Sequence, residues 1–245
     1  MKVEDQIKEI IETLTKNSKK SSYIRDGFKP IIPQNTKVID VLLDNEILTI
    51  NFSKELLNID KDNEEKMIEA IIYSLTEIKE IKKIKILVEN NPLTKLPNSQ
   101  KKLPDYLDKN YGINKIYNLD SIKESTKTTI YYLSKFQDYH YFVPVTKINN
   151  EKAEKVEIII KELKSTPIYQ TNLISYLAAS ANITNYELLE NGIKLSFNNY
   201  LIANIKEEEA LEEVKYSIAL SLRDTYGINE VIFSIPNNEN TKINV

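Results

Sequence analysis

The sequence predicts an α/β (α+β) fold built from two repeated α-β-β-α-β units, and three observations support this prediction. A helix pattern, two strand patterns, a second helix pattern and a third strand pattern follow in the same order in both halves of the chain. A β-hairpin pattern at residues 128–148 precedes the second unit only. The 245 residues, of which 41% are hydrophobic and 28% charged, are enough for two globular domains with one core each.

The first unit begins with a helix and a pair of strands. Apolar residues recur at i, i+3, i+4 and i+7 across residues 3–16, which is the spacing of one apolar helix face. After loop-like residues 17–37, alternating apolar residues predict two strands joined by a turn at Asp44-Asn45. The predicted strands are residues 38–43 and Ile47–Phe52.

The first unit ends with a second helix and a third strand. Asp62 or Asn63 can cap a helix whose first turn holds Glu64 and Glu65, which suit the positive helix end. The third strand, at residues 84–88, follows a helix, so we expect it to be parallel to a neighbour in a mixed sheet. Both helices are expected on one face of that sheet. The apolar face of the second helix is formed by Met67, Ile71, Leu75 and Ile78.

The second half repeats this order of elements. A turn at Asn191-Gly192 predicts the hairpin between its first two strands. The spacing between matching residues changes only where loops are predicted, which is typical of a true duplication. The matching positions are Val156, Ile159, Ile160 and Leu163 in the first helix, Ile193, Leu195 and Phe197 in a strand, Tyr216 and Ser217 in the second helix, and Val231, Phe233 and Ile235 in the last strand.

The composition places the domain boundary near residues 120–126, which gives domains 1–122 and 123–245. Residues 91–122 are predicted to form a tail of the first domain, with apolar segments 103–107 and 113–119 docked on it. The hairpin has no counterpart before residue 3, so we expect the natural protein to carry an equivalent strand pair there. The first sheet is then expected to expose an edge or to cover it with residues 91–127.

Composition and motifs exclude several classes of function. A net charge of −3 argues against nucleic acid as a partner, because phosphate binding needs a local basic excess. The basic run at residues 16–20 is interpreted as a solvated helix end. The chain has no cysteine and only four glycines, which excludes thiolate sites and disfavours a phosphate-binding loop.

Candidate catalytic and metal-binding residues are equally sparse. His140 is the only histidine and is interpreted as a hydrogen-bonded strand residue. Asp60, Asp62 and Glu64 have the spacing of the start of a calcium loop, but the required glycine and the glutamate at position 12 are missing. We therefore expect no enzyme activity, no catalytic residue, no metal and no cofactor.

Aromatic residues are concentrated in the hairpin. One interpretation is an interaction surface for glycan or protein, centred on Tyr131, Tyr139 and Tyr141. The other interpretation, which the sequence favours, is packing of the rings across the two strands. The full group is Tyr131, Tyr132, Phe136, Tyr139, Tyr141 and Phe142.

Two segments of the first unit carry a family resemblance. Residues 32–38, IPQNTKV, and residues 48–56, LTINFSKEL, resemble the GerMN domain of sporulation and germination proteins. The family pattern contains Pro-x-x-Thr-x-Val and a strand that ends in Asp-Phe/Leu-Ser. The second unit diverges more in its loops but retains TIYY at residues 129–132 and YFVPV at residues 141–145.

The sequence departs from that family pattern at two places. Ser74-Leu75 replaces Thr-Leu at the end of the second helix, and Glu89-Asn90 replaces Asp-Gly after the third strand. The family motifs are structural rather than catalytic, so the resemblance transfers no site residues.

The resemblance implies a tandem GerMN-domain, GerM-like protein with a fold similar to the ring-building motif of secretion systems. Such proteins are typically extracytoplasmic, membrane-anchored lipoproteins that act as scaffolds in the channel complex joining mother cell and forespore. Expected partners are other sporulation membrane-complex proteins or further copies of the chain. The membrane is expected to be reached only through an N-terminal anchor, whose lipobox cysteine is absent from this chain.

Two functions remain open at this point. The first is a non-enzymatic assembly or scaffold protein of sporulation or spore germination. The alternative is an extracytoplasmic ligand- or cell-wall-binding module that uses the aromatic hairpin. Enzyme activity ranks a distant third, since it would rest on His140 alone.

Overall fold

The computed structural model describes residues 2–121, 123–165, 172–198, 201, 208–236 and 240–245, without the side chains of residues 208–210. The chain divides into two compact units, Met1–Ile113 and Asn114–Val245. Each unit contains the predicted α-β-β-α-β order, and the second is preceded by the predicted hairpin.

The first unit is a mixed four-stranded sheet with two helices. Its strand order is β1-β2-β3-β4. The β1–β2 and β3–β4 pairs are antiparallel and β2–β3 is parallel, which confirms the mixed sheet. The elements are α1 (Val3–Leu14), β1 (Val38–Asp44), β2 (Ile47–Phe52), α2 (Glu64–Leu75), β3 (Lys83–Val88) and β4 (Asn91–Pro92).

Both helices of the first unit share one core with one face of the sheet. Ile7 and Ile11 of α1 are buried in the same cluster as Leu48, Ile50 and Phe52 of β2. Burying one such side chain stabilises the fold by about 1.5–3 kcal/mol. The face of the sheet on which the apolar side chains of β2 lie is therefore the face that the helices cover.

Residues after β4 cover the outer edge of β3. The Ile84 amide donates to the Leu107 carbonyl oxygen at 2.8 Å, and the Leu107 amide donates to the Ile84 carbonyl oxygen at 2.8 Å. Leu103 and Leu107 are buried in the first core, as expected of residues 103–107. Ile113 also packs against the first core, as expected. The structure differs for residues 114–119, which belong to the second unit and contain its strand β5 (Ile116–Asn118).

The second unit contains two four-stranded sheets with strand orders β12-β11-β10-β9 and β5-β7-β6-β8. The β10–β11 pair is parallel, like β2–β3. The β6–β7 pair is the antiparallel hairpin, and β5 lies parallel to β7 on its outer side. The remaining elements are β6 (Thr126–Phe136), β7 (Tyr139–Asn149), α3 (Lys155–Leu163), β8 (Leu173–Ile174), β9 (Ile183–Leu188), β10 (Gly192–Phe197), α4 (Glu208–Tyr226), β11 (Glu230–Ser234) and β12 (Thr241–Asn244).

One core joins both sheets and both helices of the second unit. Tyr132 of the hairpin is fully buried in the same cluster as Ile159 of α3, Ile218 of α4 and Leu195 of β10. The hairpin is therefore an integral layer of this unit.

The two β-hairpin turns are formed by other residues than the sequence predicts. The β1–β2 turn consists of Asn45 and Glu46, whose φ angles of 48° and 63° are left-handed although neither is glycine. Gly192 is instead the first residue of β10. A side-chain Cβ there would lie 2.8 Å from the carbonyl oxygen of Glu230, so glycine permits the close approach of β11.

Glu64 is a buried carboxylate that fastens a loop to α2. Its oxygens accept hydrogen bonds from the backbone amides of Asn98 at 2.8 Å and Ser99 at 2.9 Å. Burial by itself would raise the pKa of Glu64, but the hydrogen bonds from Ser99 and Asn98 outweigh it and lower the pKa. The carboxylate therefore holds the loop of Asn98 and Ser99 on α2.

We expect Glu64→Gln to lower the free energy of unfolding of the first unit by about 1–3 kcal/mol, because the charge-assisted bonds from two backbone amides to the buried carboxylate are weakened. Because the folded-state pKa is depressed, the carboxylate stabilises the unit at neutral pH. That contribution disappears as the pH falls below the ordinary value of 4.5.

Urea unfolding from pH 7 to pH 3 measures this effect, and Glu4→Gln is the matched control in the first turn of α1. The difference between wild type and Glu64→Gln should shrink as the pH falls. An equal difference at every pH would contradict the assigned role.

Candidate functional site

The aromatic residues of the hairpin divide into an exposed and a buried group. Tyr139, at the tip, has 58% of its surface exposed, and Phe136 opposite it is also exposed. Tyr141 is half-buried, with its ring centroid 6.4 Å from that of Tyr139. These three rings form an aromatic tip that could contact a partner.

Tyr131 is separate from this tip because it is only 6% exposed. Its hydroxyl donates to Asp224 Oδ2 at 2.6 Å and accepts from Arg223 Nη2 at 3.3 Å. Its backbone amide donates to Ser221 Oγ at 2.9 Å. All three partners lie on α4, so Tyr131 fastens the hairpin to that helix. Of the three tyrosines named from the sequence, only Tyr139 and Tyr141 lie together.

His140 connects the same two elements. Its Nδ1 contacts a carboxylate oxygen of Glu213 on α4. In the described part of the chain, no three His, Cys, Asp or Glu side chains are arranged to hold a metal ion. Among the described helices, none combines the length and hydropathy that a membrane span requires. The contact of His140 with Glu213 thus joins β7 to α4.

A groove lies between the first helix and the edge strand of the first unit. It has a volume of ≈ 730 Å³ and is bounded by the second half of α1, the residues that follow it, and the start of β1. Ile11 lies on the helix side and Val38 on the strand side. Its walls include Lys8, Glu12, Lys16, Lys19 and Lys37.

The second unit has a groove of ≈ 540 Å³ at the equivalent place, between α3 and β9. The duplication matches Ile11 with Ile160, and these isoleucines line the two grooves. On the strand side, Val38 corresponds to Ile183, because they pair with the matching residues Phe52 and Phe197. The groove is thus a repeated feature of the fold.

A pair of hydrogen bonds fixes the start of both edge strands. In the first unit the Lys37 amide donates to Ser53 Oγ at 3.0 Å, and the Ser53 amide donates to the Lys37 carbonyl at 2.9 Å. In the second unit the Asn182 amide donates to Asn198 Oδ1 at 3.0 Å, and the Asn198 amide donates to the Asn182 carbonyl at 3.0 Å. The serine of the Asn-Phe-Ser motif thereby positions the strand beside the groove.

Both edge strands also contain an irregularity in register at the same position. It lies between Val38 and Asp40 in β1 and opposite Ser196 and Phe197 in β9. Such bulges are typical of sheet edges and redirect the side chains around them. Sequence reasoning missed both grooves, although the basic run at residues 16–20 indicated one wall of the first.

Comparisons with known proteins agree with this architecture. Residues 1–94 match the family described as "Germane: Sporulation and spore germination". Over 236 residues the chain is 26% identical to "Spore germination protein GerM" of Bacillus subtilis (strain 168), which covers 94% of this chain and 64% of that protein. The chain thus spans somewhat less than two thirds of the length of this relative.

A solved structure is similar over nearly the whole chain. The tandem GerMN domains of the sporulation protein GerM from Bacillus subtilis match with a TM-score of 0.85 and 23% sequence identity. The match covers 98% of this chain and 84% of that chain. The predicted fold of two repeated units, similar to tandem GerMN domains, is therefore confirmed.

We expect Tyr131→Phe to lower the free energy of unfolding of the second unit by about 1.5–3 kcal/mol, because a buried hydrogen bond to a carboxylate is lost. Tyr139→Phe is the matched control and should have almost no effect, since Tyr139 lies at the exposed tip. Urea unfolding of both variants measures the difference. Equal stability of the two variants would show that the hydroxyl of Tyr131 does not hold the hairpin on α4.

Proposed function

On the premise that this chain carries tandem GerMN domains, we propose that it is a non-enzymatic assembly protein of sporulation or spore germination. It acts outside the cytoplasmic membrane as a scaffold in a membrane-associated channel complex. The observation that carries the proposal is the 26% sequence identity, over 94% of the chain, to a spore germination protein. The likeness to the tandem domains of a sporulation protein shows that the fold is similar over 98% of the chain.

The distribution of polar groups supports a role in binding rather than catalysis. Within the described residues, the buried carboxylate of Glu64 accepts hydrogen bonds from two backbone amides, and the His140 ring contacts the carboxylate of Glu213. The repeated features that remain open are the two grooves beside edge strands β1 and β9. Edge strands are surfaces to which other chains can add.

Deletion of the gene in an endospore-forming host tests this function. We expect fewer heat-resistant spores or slower germination, restored by the full-length protein. Affinity purification of that protein after cross-linking of sporulating cells should recover membrane-complex proteins or further copies of the chain. Normal spore formation and germination in the deletion strain, with no partner recovered, would overturn the proposal.

A second candidate function is a cell-wall-binding module, and the exposed aromatic tip favours it. Tyr139 and Tyr141 present neighbouring rings that could stack on sugar rings. The half-burial of Tyr141 and the burial of Tyr131 leave a smaller platform than the three tyrosines predicted from sequence.

For this second candidate, we expect Tyr139→Ala/Tyr141→Ala to abolish co-sedimentation of the protein with purified peptidoglycan. Tyr117→Ala is the matched control, because Tyr117 is also 58% exposed and lies in the same sheet. The double variant loses the two rings on which sugars would stack, and it keeps Tyr132, which holds the hairpin in the core. Unchanged sedimentation of the double variant, or no sedimentation of the wild type, would refute this function.

A further inference from the structure

We propose that the groove between α1 and β1 binds an extended acidic segment of a partner protein, which adds to the sheet as a strand beside β1. The inference rests on the proposed assembly function and deepens it by naming the surface and the chemistry of the partner. The carboxylates of the segment lie toward Lys16 and Lys37, and its backbone runs along the outer edge of β1.

The edge of β1 is open to another strand. In the sheet order β1-β2-β3-β4 it is the terminal strand, and no strand of the described residues pairs with its outer side. Alternate amide and carbonyl groups of a terminal strand point away from its neighbour and can pair with an added chain. By contrast, the far side of β3 is covered by β4 and Leu107.

Apolar side chains on β1 make this edge a contact surface. Leu42 has 61% of its surface exposed, and Ile39, at the irregularity in register, is also exposed. Open edges are commonly protected by charges or distortion, and here Asp40 and Asp44 are exposed on the same strand. The edge is therefore basic at its start, where Lys37 lies, and acidic toward Asp44. This polarity sets the direction of an acidic segment.

The charges of the groove select an acidic partner. Lys8, Lys16, Lys19 and Lys37 are all exposed and face a single lining carboxylate, that of Glu12. Among the described residues, none of these four ammonium groups lies in an ion pair, although Lys16 attracts Asp60 and Lys37 attracts Glu55 at longer range. The local charge is positive on a chain whose net charge is −3, so the attraction is confined to this surface.

The equivalent groove of the second unit has the same position in the fold but lacks free lysine side chains among its described residues. There Lys161 Nζ donates to Glu151 at 2.6 Å, which raises the pKa of Lys161. Lys164 Nζ donates to Asn182 Oδ1 at 2.9 Å, and Glu157 also lines the groove. Its lysines are therefore already engaged, and we assign the acidic segment to the first groove only.

A synthetic peptide tests the proposal. The probe is a fluorescent peptide of about eight residues, one more than the seven of β1, with glutamates at one end and alternating valine and threonine after them. The control peptide has the same sequence with alternate amides N-methylated, which keeps the charge and removes the hydrogen bonds of strand pairing. Fluorescence anisotropy measures binding of both peptides to the full chain.

Charge-reversal variants locate the site. We expect Lys16→Glu/Lys37→Glu to weaken binding of the probe by about tenfold or more, because two attractive contacts become repulsive. Lys61→Glu/Lys79→Glu is the matched control, since both lysines are exposed on the first unit and outside the groove. It should bind like the wild type. Hydrogen exchange of Val38–Asp44 amides should slow when the probe binds the wild type.

Three outcomes would overturn the proposal: no binding of the probe, equal binding of the N-methylated peptide, or equal loss in the two double variants. Full competition by polyphosphate or an anionic wall polymer, without slower exchange in β1, would assign the lysines to a polyanion instead. The proposed function and the proposed groove are tested by different experiments and can be refuted independently. A protein that binds the probe but whose deletion leaves spores normal refutes the function and keeps the groove, and the reverse result refutes the groove alone.

Discussion

The parallel pairing of β2 with β3, and of β10 with β11, is the constraint on which the rest of each unit depends. Two parallel neighbours cannot be joined by a tight turn, so the chain must leave the sheet and cross one of its faces. The crossing segments are helices α2 and α4, and their apolar faces bury the alternating side chains of the strands. The first helix of each unit packs in the same core. The first strand is left at the edge, with a groove between it and that helix.

Duplication retained this geometry while the chemistry of the two copies diverged. Ser53 in one unit and Asn198 in the other supply the same hydrogen bond at the start of the edge strand. Either side chain satisfies one backbone amide, so the architecture tolerates the exchange. The groove walls differ more: within the described residues Lys16 forms no ion pair, whereas Lys161 is bound to Glu151. The two grooves thus share their position in the fold and differ in the charges of their walls.

The hairpin shows how one cluster of aromatic residues serves two purposes. Tyr131 and Tyr132 lie where β6 packs against the helices, and their burial makes the hairpin a layer of the second unit. Tyr139 lies at the turn, beyond the reach of those helices, and stays exposed. The buried rings therefore hold the body of the hairpin in the second unit, and the exposed rings lie at its tip. The choice between scaffold and wall-binding functions depends on which exposed surface is used, the tip or the edge of β1.

The sequence by itself determined the order of helices and strands, the duplication and the mixed sheet, because period and turn residues are local properties. Strand β2 was predicted at its observed bounds, whereas the β1–β2 turn lies one residue later than predicted. Only the tertiary structure decided that β5 joins the second unit, that Glu64 binds the amides of a distant loop, and that Gly192 admits β11. It also buried Tyr131 while leaving Tyr139 exposed, and it placed Lys16 and Lys37 on the walls of one groove. Each of these outcomes depends on residues far apart in the chain, whose contacts no local pattern encodes.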